Sequence, residues 1–272
     1  MIEPKPIDSI VTEKIIGKSL LTNIQLYEKY ILPIVSVDYD QMRAISEMPQ
    51  HIITEDGREI ANPEWLIQRK YRITGSICGS IAGHNPWETA DGVFEGKVYG
   101  SKFEGNWKTS RGNIVEPYCR DIVEAWVISN YRSKKKYKNE SIYIEETGII
   151  VNPIIPFIGV SPDGIIHLGA QNRILLEIKA PCPSKPNECT ENPYEDGCPP
   201  YYMDQVQCAM GILGLKKCLF VQYFPTKLVH MYIKYDEYYF KNKLYPCLRD
   251  FYFDRLVPAW VQQMKNRNQI QQ

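Results

Sequence analysis

The chain has 272 residues, 44% of them hydrophobic, enough for one sizeable core in a single large domain or two small ones. Its 32 Lys and Arg balance 32 Asp and Glu, so net charge does not draw it to nucleic acid, and any such contact has to come from a local basic face. No apolar run of about 18 residues exists to span a membrane, and Met1-Ile2-Glu3-Pro4-Lys5-Pro6 lacks a signal-peptide layout, so a soluble intracellular protein is expected.

In chain order, Ile15, Ile16, Leu20, Leu21, Ile24, Leu26 and Tyr27 fall near helical spacing and predict a helix over 9–35, packed on the core as an extension. Turn signals run from Asp56-Gly57 to Asn62-Pro63, and a fresh helix is expected from Pro63-Glu64-Trp65. We place a boundary there, between an N-terminal helical extension (1–62) and the main domain (63–272). Past Gly112, the positions Val115, Cys119, Ile122, Val123, Trp126 and Val127 form one apolar helical stripe, which ends in a basic run, Ser133–Lys138, expected as a solvated loop.

Between 141 and 179 short apolar runs at Ile142–Ile144, Ile149–Val151, Phe157–Val160, Gly164–Leu168 and Ile174–Ile178 predict a strand meander. A loop rich in Pro and Cys spans 181–200, then a helix from Tyr202 to about Gly214, strands at Cys218–Phe224 and Val229–Tyr235, and one or two closing helices over Glu237–Met264. Together these predict an α/β or α+β domain with a mixed central sheet. None of the eight cysteines forms a Cys-x-x-Cys pair. Cys182, Cys189, Cys198 and Cys208 are spaced too loosely for a zinc ribbon and are expected as reduced thiols.

The chemistry concentrates in Ser161-Pro162-Asp163-Gly164 and Glu177-Ile178-Lys179. A hairpin turning within Gly169–Asn172 brings Asp163 beside Glu177, and strand alternation makes Glu177 and Lys179 share a face while Ile178 points into the core. Two close carboxylates repel unless a cation bridges them, and Mg²⁺ favours such oxygen ligands with water and phosphate. A nearby lysine can position water or steady charge building on phosphorus. Taken singly, Pro-Asp-Gly is also an ordinary turn, and Glu-x-Lys an ordinary solvated ion pair.

Four blocks together resemble the PD-(D/E)XK nuclease superfamily and, within it, the lambda exonuclease and YqaJ-type viral recombinase family. They are Trp65-x3-Arg69-x3-Ile73-Thr74-Gly75-Ser76, with Gly75 where the family has alanine; Arg111-Gly112-x3-Glu116; the Asp163 and Leu176–Pro181 segments; and Tyr202-Met203-Asp204-Gln205-Val206-Gln207. Phe253–Pro258 follows in the family's order, so the likeness covers about 63–264. It implies a restriction-endonuclease-like core and a Mg²⁺-dependent DNA exonuclease, with Mn²⁺ as a substitute, acting 5′ to 3′ on duplex ends in viral or phage-type recombination, repair or replication.

By the same likeness Asp163, Glu177, the Ile178 carbonyl and Glu116 would hold the metal, Lys179 would be the catalytic lysine, and Gln205 would complete the water environment. Arg69, Ser76 and Ser161 would bind the 5′ phosphate, with Tyr202 beside them. A homotrimer and a single-strand annealing partner are further implications. Pro117 biases Glu116 away from helical dihedrals, Arg69–Arg72 is open to reading as a solvated basic face, and the catalytic side chains are expected to be solvent-accessible. The alternatives are an endonuclease of the same superfamily and a non-catalytic DNA-binding relative.

Overall fold

A computed structural model describes residues 18–100, 107–181, 197–224 and 227–270. Residues 9–17 of the expected first helix and 182–196 of the Pro- and Cys-rich loop, with Cys182 and Cys189, lie outside the described residues. The first helical stretch runs from α1 (Lys18–Leu26) through a π turn at Tyr27–Ile31 into α2 (Leu32–Val35). A capping box opens α3 (Tyr39–Glu47): the Asp38 side chain accepts the Gln41 N–H, and the Gln41 side chain accepts the Asp38 N–H. An antiparallel hairpin of β1 (His51–Ile53) and β2 (Glu59–Ala61) follows, so the segment before residue 62 holds strands as well as helices. Asn62 then caps α4 (Pro63–Lys70) by accepting the Glu64 N–H.

After β3 (Ile73–Thr74) come α5 (Cys78–Ile81), α6 (Ala90–Tyr99) and the 26-residue α7 (Trp107–Arg132). Pro117 lies inside α7, so Glu116 is helical and the expected displacement does not occur. The local bias of a residue before proline is overridden by the stripe Cys119, Val123, Val127 and Tyr131, all buried against the sheet.

The five expected strands form, as β4 (Ile142–Glu145), β5 (Ile150–Asn152), β6 (Ile155–Val160), β7 (Gly164–Leu168) and β8 (Asn172–Lys179), but not as one meander: β4 pairs with β7 beside β8, while β5 and β6 pair in a separate sheet. Then α8 (Pro200–Leu213) ends at Gly214, whose φ of +66° fits the left-handed cap that glycine favours. It leads to β9 (Lys217–Tyr223) and β10 (Leu228–Lys234). One helical run closes the chain: α9 (Glu237–Tyr239), a π turn, α10 (Tyr245–Phe251), a second π turn and α11 (Val257–Ile270).

The main sheet has the order β10-β9-β8-β7-β4, with β8 and β9 parallel and the other pairs antiparallel; β3, β6 and β5 form a second, mixed sheet. Helices cover both faces of the main sheet. On one face Ile174, Leu176 and Ile178 of β8 meet α7; on the other, Leu175 joins Val206 of α8 and Trp260 and Tyr252 of the closing helices. Each such side chain contributes about 1.5–3 kcal/mol by leaving water, which fixes β8 from both sides. Arg72 is 2% exposed and donates to the carbonyls of Val35, Gln68 and Pro156, so it ties α2 to β6 and is no part of a solvated face.

Candidate active site

The register Gly164↔Leu176 sets Asp163, in the turn between β6 and β7, against the end of β8. Its Oδ2 accepts the Ile178 N–H at 2.6 Å. Alternation turns Glu177 and Lys179 to the face covered by α8, where Gln205 Nε2 donates to Glu177 Oε1 at 2.6 Å and Lys179 Nζ pairs with the same oxygen. Glu177 is 1% exposed, against the expectation of an accessible side chain, because α8 closes over it; the Lys179 side chain is 18% exposed. The Lys179 ammonium also lies 4.8 Å from the centre of the Tyr202 ring.

Glu116 reaches the cluster from α7, held by Arg120, whose Nη2 donates to Glu116 Oε1 at 3.0 Å and which also pairs with Glu146. Burial, then the Asp163 charge, pushes Glu177 up to about 8 and Glu116 up to about 7, with Lys179 pulling both down and Arg120 also lowering Glu116. Burial raises Asp163 as well, opposed by Lys179 and the Ile178 N–H. Burial works against the Lys179 charge, but Glu177 and Asp163 outweigh it, and the net shift is upward.

A cavity of about 150 Å³ is lined by Arg69, Ser76 and Ser161 at one end and by Asp163, Glu177 and Gln205 at the other. Arg69 is half-buried, 4.1 Å over the Trp65 ring, and Nη2 donates to Ser76 Oγ at 3.4 Å; Trp65 Nε1 donates to Ser161 Oγ at 3.3 Å. Trp65 thus holds both ends of the Arg69–Ser161 arrangement. Burial lowers Arg69 to about 10, and no carboxylate pairs with it among the described residues. On the other side of Asp163 a cavity of about 300 Å³ opens between Glu116, Arg120 and the β1–β2 hairpin.

The structure therefore gathers Asp163, Glu177, Ile178, Lys179, Glu116 and Gln205 around one point, with Arg69, Ser76 and Ser161 along the adjoining cavity. Tyr202 sits beneath Lys179. Sequence reasoning missed Arg120, the role of Trp65, and Lys97, which supports Arg69 from below. It also missed the rings leading outward from Lys179: Tyr202 to Tyr201 at 4.3 Å, and Tyr201 to the exposed Trp87 at 5.1 Å. Arg120 was legible as the i+4 partner of Glu116.

Among the described residues no three His, Cys, Asp or Glu side chains stand together as an ion would require, because Glu177 is turned onto Lys179 and Gln205, and Glu116 onto Arg120. The donor set still fits a hard cation. Burial raises all three carboxylates, and the Asp163 charge raises Glu177 and Glu116 further, a cost that a bound cation would relieve.

The fold resembles that of LHK-Exo in complex with dAMP, with a TM-score of 0.55, 21% identity, and coverage of 78% of this chain and all of that one. It also resembles an alkaline exonuclease, LHK-Exo from Laribacter hongkongensis, with a TM-score of 0.53, 20% identity and the same coverage. No curated protein sequence matches the chain. The description of the YqaJ-like viral recombinase domain matches residues 64–216, which span all four sequence blocks and every candidate site residue. Matching over more than half of its length, the chain belongs to the family of YqaJ-like viral recombinase domains.

Proposed function

We propose that this protein is a divalent-metal-dependent deoxyribonuclease that degrades duplex DNA from its ends, in the 5′ to 3′ direction, to supply single strands for recombination. The observation that carries this reading is the cavity shared by Arg69, Ser76 and Ser161 with Asp163, Glu177 and Gln205. A guanidinium with no carboxylate partner among the described residues, flanked by two hydroxyls, suits a terminal phosphate, and it opens onto the carboxylates that would act on the adjacent diester.

Asp163, Glu177, the Ile178 carbonyl and Glu116 would hold Mg²⁺, or Mn²⁺ in its place. A cation held there would supply polarisation of the phosphoryl oxygen and activation of water. Lys179, oriented by Glu177 and the Tyr202 ring, positions that water and steadies charge accumulating on phosphorus. Gln205 fixes the Glu177 carboxylate, and Arg69 sets the register of the strand end.

The test is a digestion of linear duplexes, labelled in turn at each 5′ and 3′ terminus, by purified protein in Mg²⁺. Early release of the 5′ label with closed circles left intact is expected. Cutting of closed circles indicates an endonuclease, and absence of metal-dependent hydrolysis of either substrate rejects the nuclease reading.

A further inference from the structure

Toward the opposite end of β8 from Glu177 and Lys179, with Arg173 about 13 Å from Glu177 by strand rise, lies a basin of about 870 Å³ between the β7–β8 turn, the end of α8 and the end of α7. Lys134, Arg173, Lys216, Lys217 and Lys241 line it, and among the described residues Glu237 is its one carboxylate, already paired with Lys241 at 2.8 Å. In a chain of zero net charge this is a marked segregation of sign. Lys134, Arg173, Lys216 and Lys217 make no ion pair among the described residues.

The lysines rest on tyrosine rings instead: Lys134 at 4.2 Å from the Tyr131 centroid, Lys216 at 5.2 Å from Tyr235, and Lys217 at 3.6 Å from Tyr232. Lys136, on the adjoining turn, lies 5.0 Å from Tyr137, whose ring lines the basin. Such pairing holds the ammonium groups in place without neutralising them. The result is a surface that alternates fixed cations with aromatic rings.

We propose that this basin is a second polynucleotide site that takes single-stranded DNA. Phosphates meet the cations, and bases meet the half-buried rings of Tyr137 and Tyr235, since Tyr131 is buried and Tyr232 lies outside the basin; these are the two features by which single strands are held without sequence preference. An acidic peptide would use the cations alone. The basin shares no residue with the carboxylate cluster, so strand binding here needs neither metal nor hydrolysis and stands apart from the nuclease reading.

The experiment measures anisotropy of a 3′-labelled oligothymidylate with a 5′-hydroxyl end, titrated with the full chain in chelator. The double variants Lys216→Ala/Lys217→Ala and Lys134→Ala/Arg173→Ala are each expected to weaken binding at least tenfold. Each should also make the dependence of log K on log salt shallower by about 1.4, from roughly 0.7 per lost contact. Arg69→Ala should bind as the wild type does. Wild-type affinity and salt slope in both folded double variants would overturn the proposal. So would loss of binding in Arg69→Ala, which places the strand at the nuclease site, and so would displacement by polyglutamate at equal charge, which points to an acidic protein partner.

Discussion

Lys97 Nζ donates to the backbone carbonyl of Arg69 at 2.8 Å, and to that of Arg72 at 2.7 Å, so a half-buried lysine props the helix end that carries Arg69. The carbonyls at the end of α4 attract positive charge. Burial, then the nearby Arg69 and Arg72 charges, nevertheless lowers Lys97 to about 7. A lysine whose folded value is depressed binds fewer protons in the native than in the unfolded state from about pH 7 to its ordinary value of about 10.4. Its contribution to stability therefore rises with pH across that window and is lost as pH falls through 7. Lys97→Met has no proton to bind, so the wild-type stability minus that of the variant should increase between pH 7 and 9, by up to about 1.4 kcal/mol per pH unit. Denaturant unfolding at several pH values measures it, and a constant difference refutes it.

Arg69 should confer preference for a phosphorylated 5′ end. A guanidinium grips a monoester with two parallel charge-assisted bonds, which Lys does not reproduce. Arg69→Ala is expected to lose roughly ten- to a hundredfold in kcat/KM on 5′-phosphate duplexes and to erase the difference from 5′-hydroxyl duplexes; Arg69→Lys should recover only part. Rates on both ends must be compared at one salt concentration. A variant that keeps the preference returns Arg69 to a structural role.

Glu177→Ala and Lys179→Ala should each lower kcat by roughly a hundred- to a thousandfold. Since both side chains are held in one hydrogen-bonded cluster, the double variant is expected to be little worse than either single one. Losses that multiply instead show that the two act independently.

Hydrolysis should run in Mg²⁺ or Mn²⁺ and stop in excess chelator, while Ca²⁺ supports DNA binding with little turnover because it tolerates looser coordination and activates water poorly. Undiminished cleavage in chelator is the opposing result.

Gly79 is the point where α5 crosses α8: a Cβ there lies 2.7 Å from the Tyr201 backbone. Gly79→Ala must push α8 outward, costing about 1–3 kcal/mol of stability, and it should also slow turnover because α8 carries Gln205. A full-rate, full-stability variant would show that the crossing yields freely.

The five strands β4 to β8 were legible because they are short apolar runs broken by turn residues, with Gly169 at φ +75° between β7 and β8, but their division between two sheets was not. The β1–β2 hairpin was not, since Ile53 is 69% and Ile60 37% exposed and neither strand carries a burial pattern. The Asp38–Gln41 box was readable as a helix start and went unread. Site residues on β8 followed from alternation, but the burial of Glu177 did not, because α8 comes from sequence beyond the strand. Lys97 was invisible for a similar reason: only the fold places its ammonium under two carbonyls of another segment.

The pairing of β8 also governs when the strand that carries Glu177 and Lys179 can exist at all. Its antiparallel neighbour β7 precedes it, but its parallel neighbour β9 arrives only after the crossover through α8. Beneath α8 the core further requires Tyr252 and Trp260 from the closing helices. A chain emerging during synthesis therefore carries Asp163, Glu177 and Lys179 long before anything holds them in register, and their cluster is assembled as one of the last events of folding.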